Sequence, residues 1–251
     1  MMDLGSKTAL VTGAGMRIGR AIAIALAKER VNIIMHYPFD PSETDELRSE
    51  LESLGVKSWP VKADFTKPEE YESLIEKSSK VAGNLDILVN NASIFSPGKL
   101  KEINFPDLIR HIQVNAWAPF VLCRDFARMV SSGKIINILD TKVAGYDFAH
   151  TAYILSKQML FILTKMTAIE FAPGVAVNAI APGLILPPVG EDAGYLDQLA
   201  QAVPLKRHGG PDDIAEAVVY LLKGDFLTGQ VIYLDGGRHL LEYDNGPHPY
   251  N

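Results

Sequence analysis

The 251-residue chain has a single cysteine, Cys123, so an internal disulfide is excluded. Set in an apolar run, that thiol suits a reducing compartment. With no second Cys or His at ligand spacing, it does not announce a metal centre, and no metal is expected. Long hydrophobic runs are also lacking: none reaches the roughly 18 consecutive apolar residues that a membrane span needs. The N-terminal MMDLGSKTALVTG carries an acid at Asp3 and passes straight into a strand-like segment, so no secretory signal is expected. Internal repeats and low-complexity segments are missing. Positive charge is scarce and scattered, with 24 Lys and Arg against 30 Asp and Glu and a net charge of −6. Nucleic acid and anionic membrane are therefore not expected partners, although a local basic pocket stays open. A cytoplasmic location is the expectation that the lone thiol supports.

What is present points to an α/β protein. Hydrophobic residues make up 47% and charged residues 22%, as in an ordinary globular chain. Thr8 to Val11, Val31 to His36, Ser58 to Lys62, Leu85 to Val89, Lys134 to Leu139, Val175 to Ala179 and Val231 to Leu234 read as strands. Between them lie helical stretches: Arg20 to Glu29, Ser42 to Leu54, a helix capped by Thr66 and running to Ala82, Phe105 to Met129, Ala152 to Glu170, and Pro211 to Leu222. Such regular alternation predicts a single doubly wound domain over 1–251, with a mostly parallel sheet of about seven strands and helices on both faces. Residues 184–210, rich in Pro and Gly around one short helix from Tyr195 to Ala202, read as a substrate flap. The tail, 238–251, has no readable pattern.

Ligands bind doubly wound sheets at the carboxyl ends of the strands. There lie the turn Thr12-Gly-Ala-Gly-Met-Arg-Ile-Gly19, His36-Tyr37, Asp64-Phe65, Asn91 to Phe95, Asp140 and Pro182-Gly183. The glycine turn stands between a strand and a helix, the order that lets backbone approach a pyrophosphate at a helix N-terminus. Tyr153 and Lys157 are four residues apart on a predicted helix, hence one turn apart on one face. A phenol beside an ammonium is a proton donor, and the positive charge is expected to lower the phenol pKa.

The ordered set Thr12-Gly13…Gly19, Asp64, Asn90-Asn91-Ala92, Asn115, Tyr153-x-x-x-Lys157 and Pro182-Gly183 resembles the short-chain dehydrogenase/reductase family over roughly residues 5 to 237. That likeness implies a Rossmann-type fold, NAD(P)-dependent hydride transfer, and commonly a homotetramer. It also implies roles: Tyr153 as proton donor, Lys157 on the nicotinamide ribose, Asn115 on a water-mediated proton path, and Asp64 near adenine. Gly13, Arg17, Ile18, Gly19, His36, Tyr37, Phe65, Asn91, Ala92, Pro182 and Gly183 would line the cofactor.

Two departures from the family pattern narrow the reading. Arg17 stands where the middle glycine is usual, and Asp140 stands thirteen residues before Tyr153 where serine is usual. An ionised carboxylate would repel the oxyanion of a ketone, so Asp140 suits a substrate that offers donors or a nitrogen that must gain a proton; the alternative is that it caps a loop. With His36-Tyr37 and the Asn91 to Phe95 segment, these departures resemble the pteridine and dihydromonapterin reductases of the family. By that likeness Phe95 stacks on a pterin ring, and Ser93, Arg17, Asp140 and Tyr153 contact the substrate. The absence of an acid at His36 favours NADP (as NADPH) over NAD, while Asp40 would oppose a phosphate if it pointed inward, so NAD is not excluded. The expectation is an NADPH-dependent pterin-type reductase. Its rivals are a carbonyl reductase of the same family, acting on a 3-oxoacyl thioester or a sugar, and a cofactor-binding sensor without turnover.

Overall fold

The computed structural model describes residues 3–188, 190 and 193–241. Seven short aliphatic and β-branched runs become strands: β1 (Thr8–Val11), β2 (Asn32–Tyr37), β3 (Ser58–Lys62), β4 (Ile87–Asn90), β5 (Gly133–Ile138), β6 (Val175–Pro182) and β7 (Val231–Leu234). They form one sheet in the order β3-β2-β1-β4-β5-β6-β7, and every neighbouring pair is parallel. Strands covered on both faces need no polar alternation, which is why β1 and β4 are buried along their whole length.

The covering helices are α1 (Arg17–Lys28), α2 (Ser42–Ser53), α3 (Pro68–Glu72), α4 (Leu74–Ala82), α5 (Phe105–Ile112), α6 (Ala118–Met129), α7 (Thr151–Glu170), α8 (Ala193–Ala200) and α9 (Pro211–Lys223). One core layer joins Ile22 and Leu26 of α1, Leu47 of α2 and Val218 of α9 to the sheet. The opposite layer joins Leu74 of α4, Leu122 and Phe126 of α6 and Ala168 of α7. The strand order reverses between β1 and β4, and their carboxyl ends open a crevice there, the place where such sheets bind ligands.

Three expectations about elements need correction. Helix α1 begins at Arg17 rather than Arg20, so the last residues of the glycine turn are already its first turn. Thr66 does not cap a helix: its hydroxyl donates to Asp64 at 2.7 Å, Lys67 takes the cap position, and the helix breaks at Ser73. The stretch Phe105 to Met129 is not one α-helix. A π-helical turn, Gln113–Trp117, separates α5 from α6, with the N–H of Ala118 reaching back five residues to the Gln113 carbonyl. Pro119 supplies the reason, since it has no N–H for the Asn115 carbonyl four residues earlier.

Candidate active site

The glycine turn is held from beneath by side chains of neighbouring strands. Gly13 adopts φ +63°, in the left-handed region that favours glycine. A Cβ at Gly19 would lie 2.0 Å from the Gly13 carbonyl oxygen, so only glycine lets α1 sit this close to the turn. Asn91 stitches β4 to the same turn, its Nδ2 donating to the carbonyls of Thr12 (2.9 Å) and Gly13 (3.2 Å). The Thr12 hydroxyl accepts from the N–H groups of Asn91 and Ala92, both at 2.9 Å. Helix α1 starts with no side-chain cap and no acid in its first turn, so its first N–H groups face outward without a built-in anion.

These residues open onto a cavity of about 480 Å³. Of the expected cofactor residues, Gly13, Arg17, Ile18, Gly19, His36, Asp64, Phe65, Asn91 and Ala92 line it, as does Ser93. Tyr37, Pro182 and Gly183 do not. Pro182 ends β6 against Leu234, and a Cβ at Gly183 would lie 2.5 Å from that of Asp235, so this pair packs the sheet edge rather than the cavity. Arg110 and Val114, one helical turn apart, and the half-turned loop residues Pro38 and Phe39 complete the wall.

The His36 ring is held on both sides: Nδ1 accepts the Gly13 N–H at 3.0 Å and Nε2 lies 2.8 Å from the Ala63 carbonyl, to which it donates. Burial lowers its pKa to about 4 against the opposing bond to Ala63, so the ring is neutral near pH 7 and its polar atoms are spent on the glycine turn. Asp40 is exposed and does not line the cavity, and its Oδ1 accepts the Ser42 N–H at 3.0 Å. Asp64 accepts from the N–H (2.9 Å) and the hydroxyl (2.7 Å) of Thr66.

Arg17 also explains itself locally. It is a non-glycine residue at φ +53°, the backbone that the usual glycine would adopt without strain. Its guanidinium is exposed and donates to the Pro187 carbonyl of the flap at 2.8 Å.

The chemical cluster lies beside the cavity, at the carboxyl end of β5. Tyr153, on the first turn of α7, donates its hydroxyl to Asp140 Oδ2 at 2.9 Å. The other carboxylate oxygen, Oδ1, accepts the Lys142 N–H at 2.8 Å and caps the short 3₁₀ turn Thr141–Ala144. Asp140 thus caps the loop with one oxygen and accepts the Tyr153 hydroxyl with the other. Lys157 donates to the Ile138 carbonyl at 2.9 Å and lies 5.8 Å from the Tyr153 ring centre.

The expected lowering of the Tyr153 pKa is reversed. Burial raises it well above 10, and the negative charge of Asp140 and the bond to it raise it further. Burial likewise lowers the Lys157 ammonium to about 8, against the pull of Asp140. The ammonium reaches the ring face and a backbone carbonyl, while the carboxylate reaches the hydroxyl itself.

Asn115, fully buried in the π-helical turn, spends its whole side chain on structure. Its Oδ1 accepts from the Ile94 N–H (2.8 Å) and the Ser93 hydroxyl (3.1 Å), and its Nδ2 donates to the Ile94 carbonyl (2.9 Å) and Ser156 (3.0 Å). These four bonds fill the amide and make it a brace between the β4 loop and α7. Ser93 is occupied by the same bond. Phe95, half exposed, lies edge-on to Tyr153 at 4.8 Å and flat against His150 at 4.3 Å.

His150, Asp147, Lys142 and Ser156 were missed from the sequence. Asp147 accepts the His150 Nδ1–H at 3.0 Å and the N–H groups of Ala149 and His150 (2.8 and 3.0 Å), and it pairs with Lys142. Burial opposes its ionisation, but these donors outweigh it and hold its carboxyl well below the usual range. The readable signal was Asp147-x-x-His150 immediately before a helix, a spacing that lets a carboxylate cap the first turn.

Comparison with known proteins agrees with this geometry. A family model described as enoyl-(acyl carrier protein) reductase matches residues 13–239. The 3-oxoacyl-(acyl-carrier-protein) reductase FabG of Staphylococcus epidermidis is 32% identical, covering 94% of this chain and 100% of its own. Glucose 1-dehydrogenase 2 of Bacillus subtilis is 30% identical over 95% of this chain and 96% of its own. Among solved structures, FolM alternative dihydrofolate reductase 1 from Brucella canis, complexed with NADP, aligns with a TM-score of 0.89 at 30% identity, covering 95% of this chain and 96% of that one. A short-chain dehydrogenase/reductase from Serratia marcescens aligns at 0.88 with 32% identity, covering 95% and 100%. The chain belongs to the short-chain dehydrogenase/reductase family of oxidoreductases.

Proposed function

We propose that the protein is an NADPH-dependent reductase of a pterin-like substrate, a dihydropterin or dihydrofolate, in which hydride adds across a ring C=N bond. The observation that carries this reading is the Tyr153 hydroxyl on a carboxylate, Asp140, at 2.9 Å. The resemblance to the NADP-bound FolM structure supports it.

The residues present fit the cofactor. The uncapped N-terminus of α1 and the close backbone of Gly13 to Gly19 suit a pyrophosphate, while Phe65, Ala92 and Val114 form an apolar slot for adenine. Arg17 and Arg110 line the cavity against one acid, Asp64, a charge balance that supports the extra phosphate of NADP. When bound, NADPH supplies the hydride. In this reading Lys157 holds its ribose and Phe95 stacks on the substrate ring.

Tyr153 gives its proton to the substrate nitrogen. A buried phenol with a raised pKa is a weak acid, so it yields the proton only once the incoming hydride has made that nitrogen strongly basic. The resulting phenolate faces Lys157 across its ring, and Asp140, part-exposed, can carry a replacement proton from solvent to the hydroxyl it already touches. A ketone gains nothing from this pair, because Asp140 would repel the developing oxyanion.

The second reading is reduction of a 3-oxoacyl thioester, favoured by 32% identity to FabG over nearly the whole chain. The two separate on one measurement: NADPH oxidation with dihydropterin, dihydrofolate and a 3-oxoacyl thioester side by side, in wild type and Asp140→Ser. The pterin reading expects ring reduction in wild type and at least a tenfold loss in the variant, with thioester reduction spared or improved. Thioester turnover alone, unchanged by the substitution, would sink it. We also propose a homotetramer, supported by the exposed apolar side chains of α5 to α7.

A further inference from the structure

Phe95 stands on the loop after β4, and half of it is exposed. An exposed phenyl on a loop ordinarily samples several rotamers, and ordering it at the moment of binding costs affinity. Here the ordering is already done. Asn115 bonds both the N–H and the carbonyl of Ile94 next to it. Three residues further on, the Gly98 N–H donates to the Ala149 carbonyl at 2.8 Å and the Thr151 N–H to the Gly98 carbonyl at 3.0 Å. The loop is thereby sewn to the entrance of α7 on either side of the phenyl.

The ring itself is clamped. The His150 imidazole lies against it, with centres 4.3 Å apart and planes 21° from parallel, while Tyr153 meets it at 89° and 4.8 Å. His150 has no freedom of its own: its Nδ1–H is bound to Asp147, whose side chain is 4% exposed and is further fixed by two backbone N–H groups and Lys142. Since His150 covers one face of Phe95, a flat substrate has only the other.

We infer that His150 is a positioning residue of the substrate site: carried by Asp147, it backs Phe95 and fixes the plane of that ring relative to the Tyr153 hydroxyl, selecting planar ring substrates over flexible ones. This rests on the ring-substrate reading above. A flat substrate gains the full stacking contact on a ring already oriented, whereas a flexible thioester tail gains little from its orientation.

The test compares wild type, His150→Ala and His150→Phe. The phenylalanine variant keeps a ring behind Phe95 and loses only the bond to Asp147; melting curves show that each variant folds. For dihydropterin, KM is expected to rise about five- to tenfold in His150→Ala, in line with the loss of one aromatic pair. The kcat should change less than twofold and NADPH affinity not at all, and His150→Phe, which keeps the ring but not its anchor on Asp147, should recover part of the loss. Thioester KM should move less than twofold throughout. An unchanged dihydropterin KM in His150→Ala, no recovery in His150→Phe, or equal effects on both substrates would overturn the inference. If wild type reduces only the thioester, the pterin reading falls by itself, and His150 is judged by dihydropterin binding to the NADP-loaded protein, followed by quenching of tryptophan fluorescence. Weaker binding by the alanine variant, recovered by phenylalanine, supports the inference; equal binding by all three, or none by wild type, overturns it.

Discussion

At the scale of single residues, the site is governed by burial more than by the neighbours that its motif suggests. Tyr153 and Lys157 are both almost fully enclosed, and enclosure pushes the two in opposite directions, the phenol up and the ammonium down to about 8. Of the two, Lys157 is the group expected to lose its proton first on the alkaline side. Its folded pKa lies below the ordinary value near 10.5, so the folded chain loses that proton first as pH rises. The profile of kcat/KM against pH, which reports the free enzyme, is expected to fall above about pH 8, with a limb set by Lys157. A limb that begins only near pH 10 would point to Tyr153 instead and contradict the burial argument. Arg17 supports a second prediction. Its left-handed backbone costs an ordinary residue about 1–2 kcal/mol, partly balanced by the roughly 0.5–1 kcal/mol that glycine loses on ordering. Arg17→Gly should accordingly leave the melting temperature within a few degrees of wild type, or slightly above it, while the KM for NADPH rises about tenfold with loss of one charge-assisted contact. Coincident loss of stability and cofactor binding would show that the Pro187 bond, not the cofactor, is what Arg17 serves.

At the scale of elements, the parts that were legible are those whose cause is local. The glycine turn shows itself because φ at Gly13 and the close approach at Gly19 each demand glycine. The parallel strands show themselves because burial on both faces leaves uninterrupted aliphatic runs such as Ile87 to Val89. The inward turn of His36 was not legible, since it depends on partners 23 and 27 residues away, in the turn after β1 and the loop after β3. Nor was the Asp140–Tyr153 bond, which needs the register of β5 against the rotation of α7. The π-helical turn had a local cause that could have been read, Pro119 four residues after Asn115, but apolar periodicity through 105–129 concealed it. Such turns persist where they position something. Pro119→Ala restores the N–H that an α-helix needs, and is expected to hold or raise stability while lowering kcat at least fivefold, because Asn115 would rotate away from Ile94 and Ser156. Denaturant midpoints measured alongside kcat decide the matter: unaltered kcat would mean that the π turn carries no function.

At the scale of the whole molecule, α7 poses a problem that one chain does not solve. A helix apolar on every side is expected to be covered on every side. Its inner face meets the sheet, yet Leu155, Ile162, Met166 and Ile169 stay 42%, 54%, 60% and 81% exposed. Their spacing of seven, four and three residues puts them in one stripe along the helix. Trp117, just before α6, and Met129, at its end, are exposed as well. Contiguous exposed apolar area of this kind marks an interface, and for a chain of this family a second copy is the partner that the proposed tetramer supplies. Tyr153 and Lys157 are buried on this helix, so the pairing would steady the proposed catalytic residues from behind. In sedimentation velocity the protein is expected to run at about four times the 27.5 kDa chain mass. Ile169→Glu, which places a charge where desolvation would be costly, should shift it to smaller species and lower activity without altering the far-ultraviolet spectrum. A wild type that sediments as a monomer, with α7 exposed and activity intact, would refute the interface and leave the stripe unexplained.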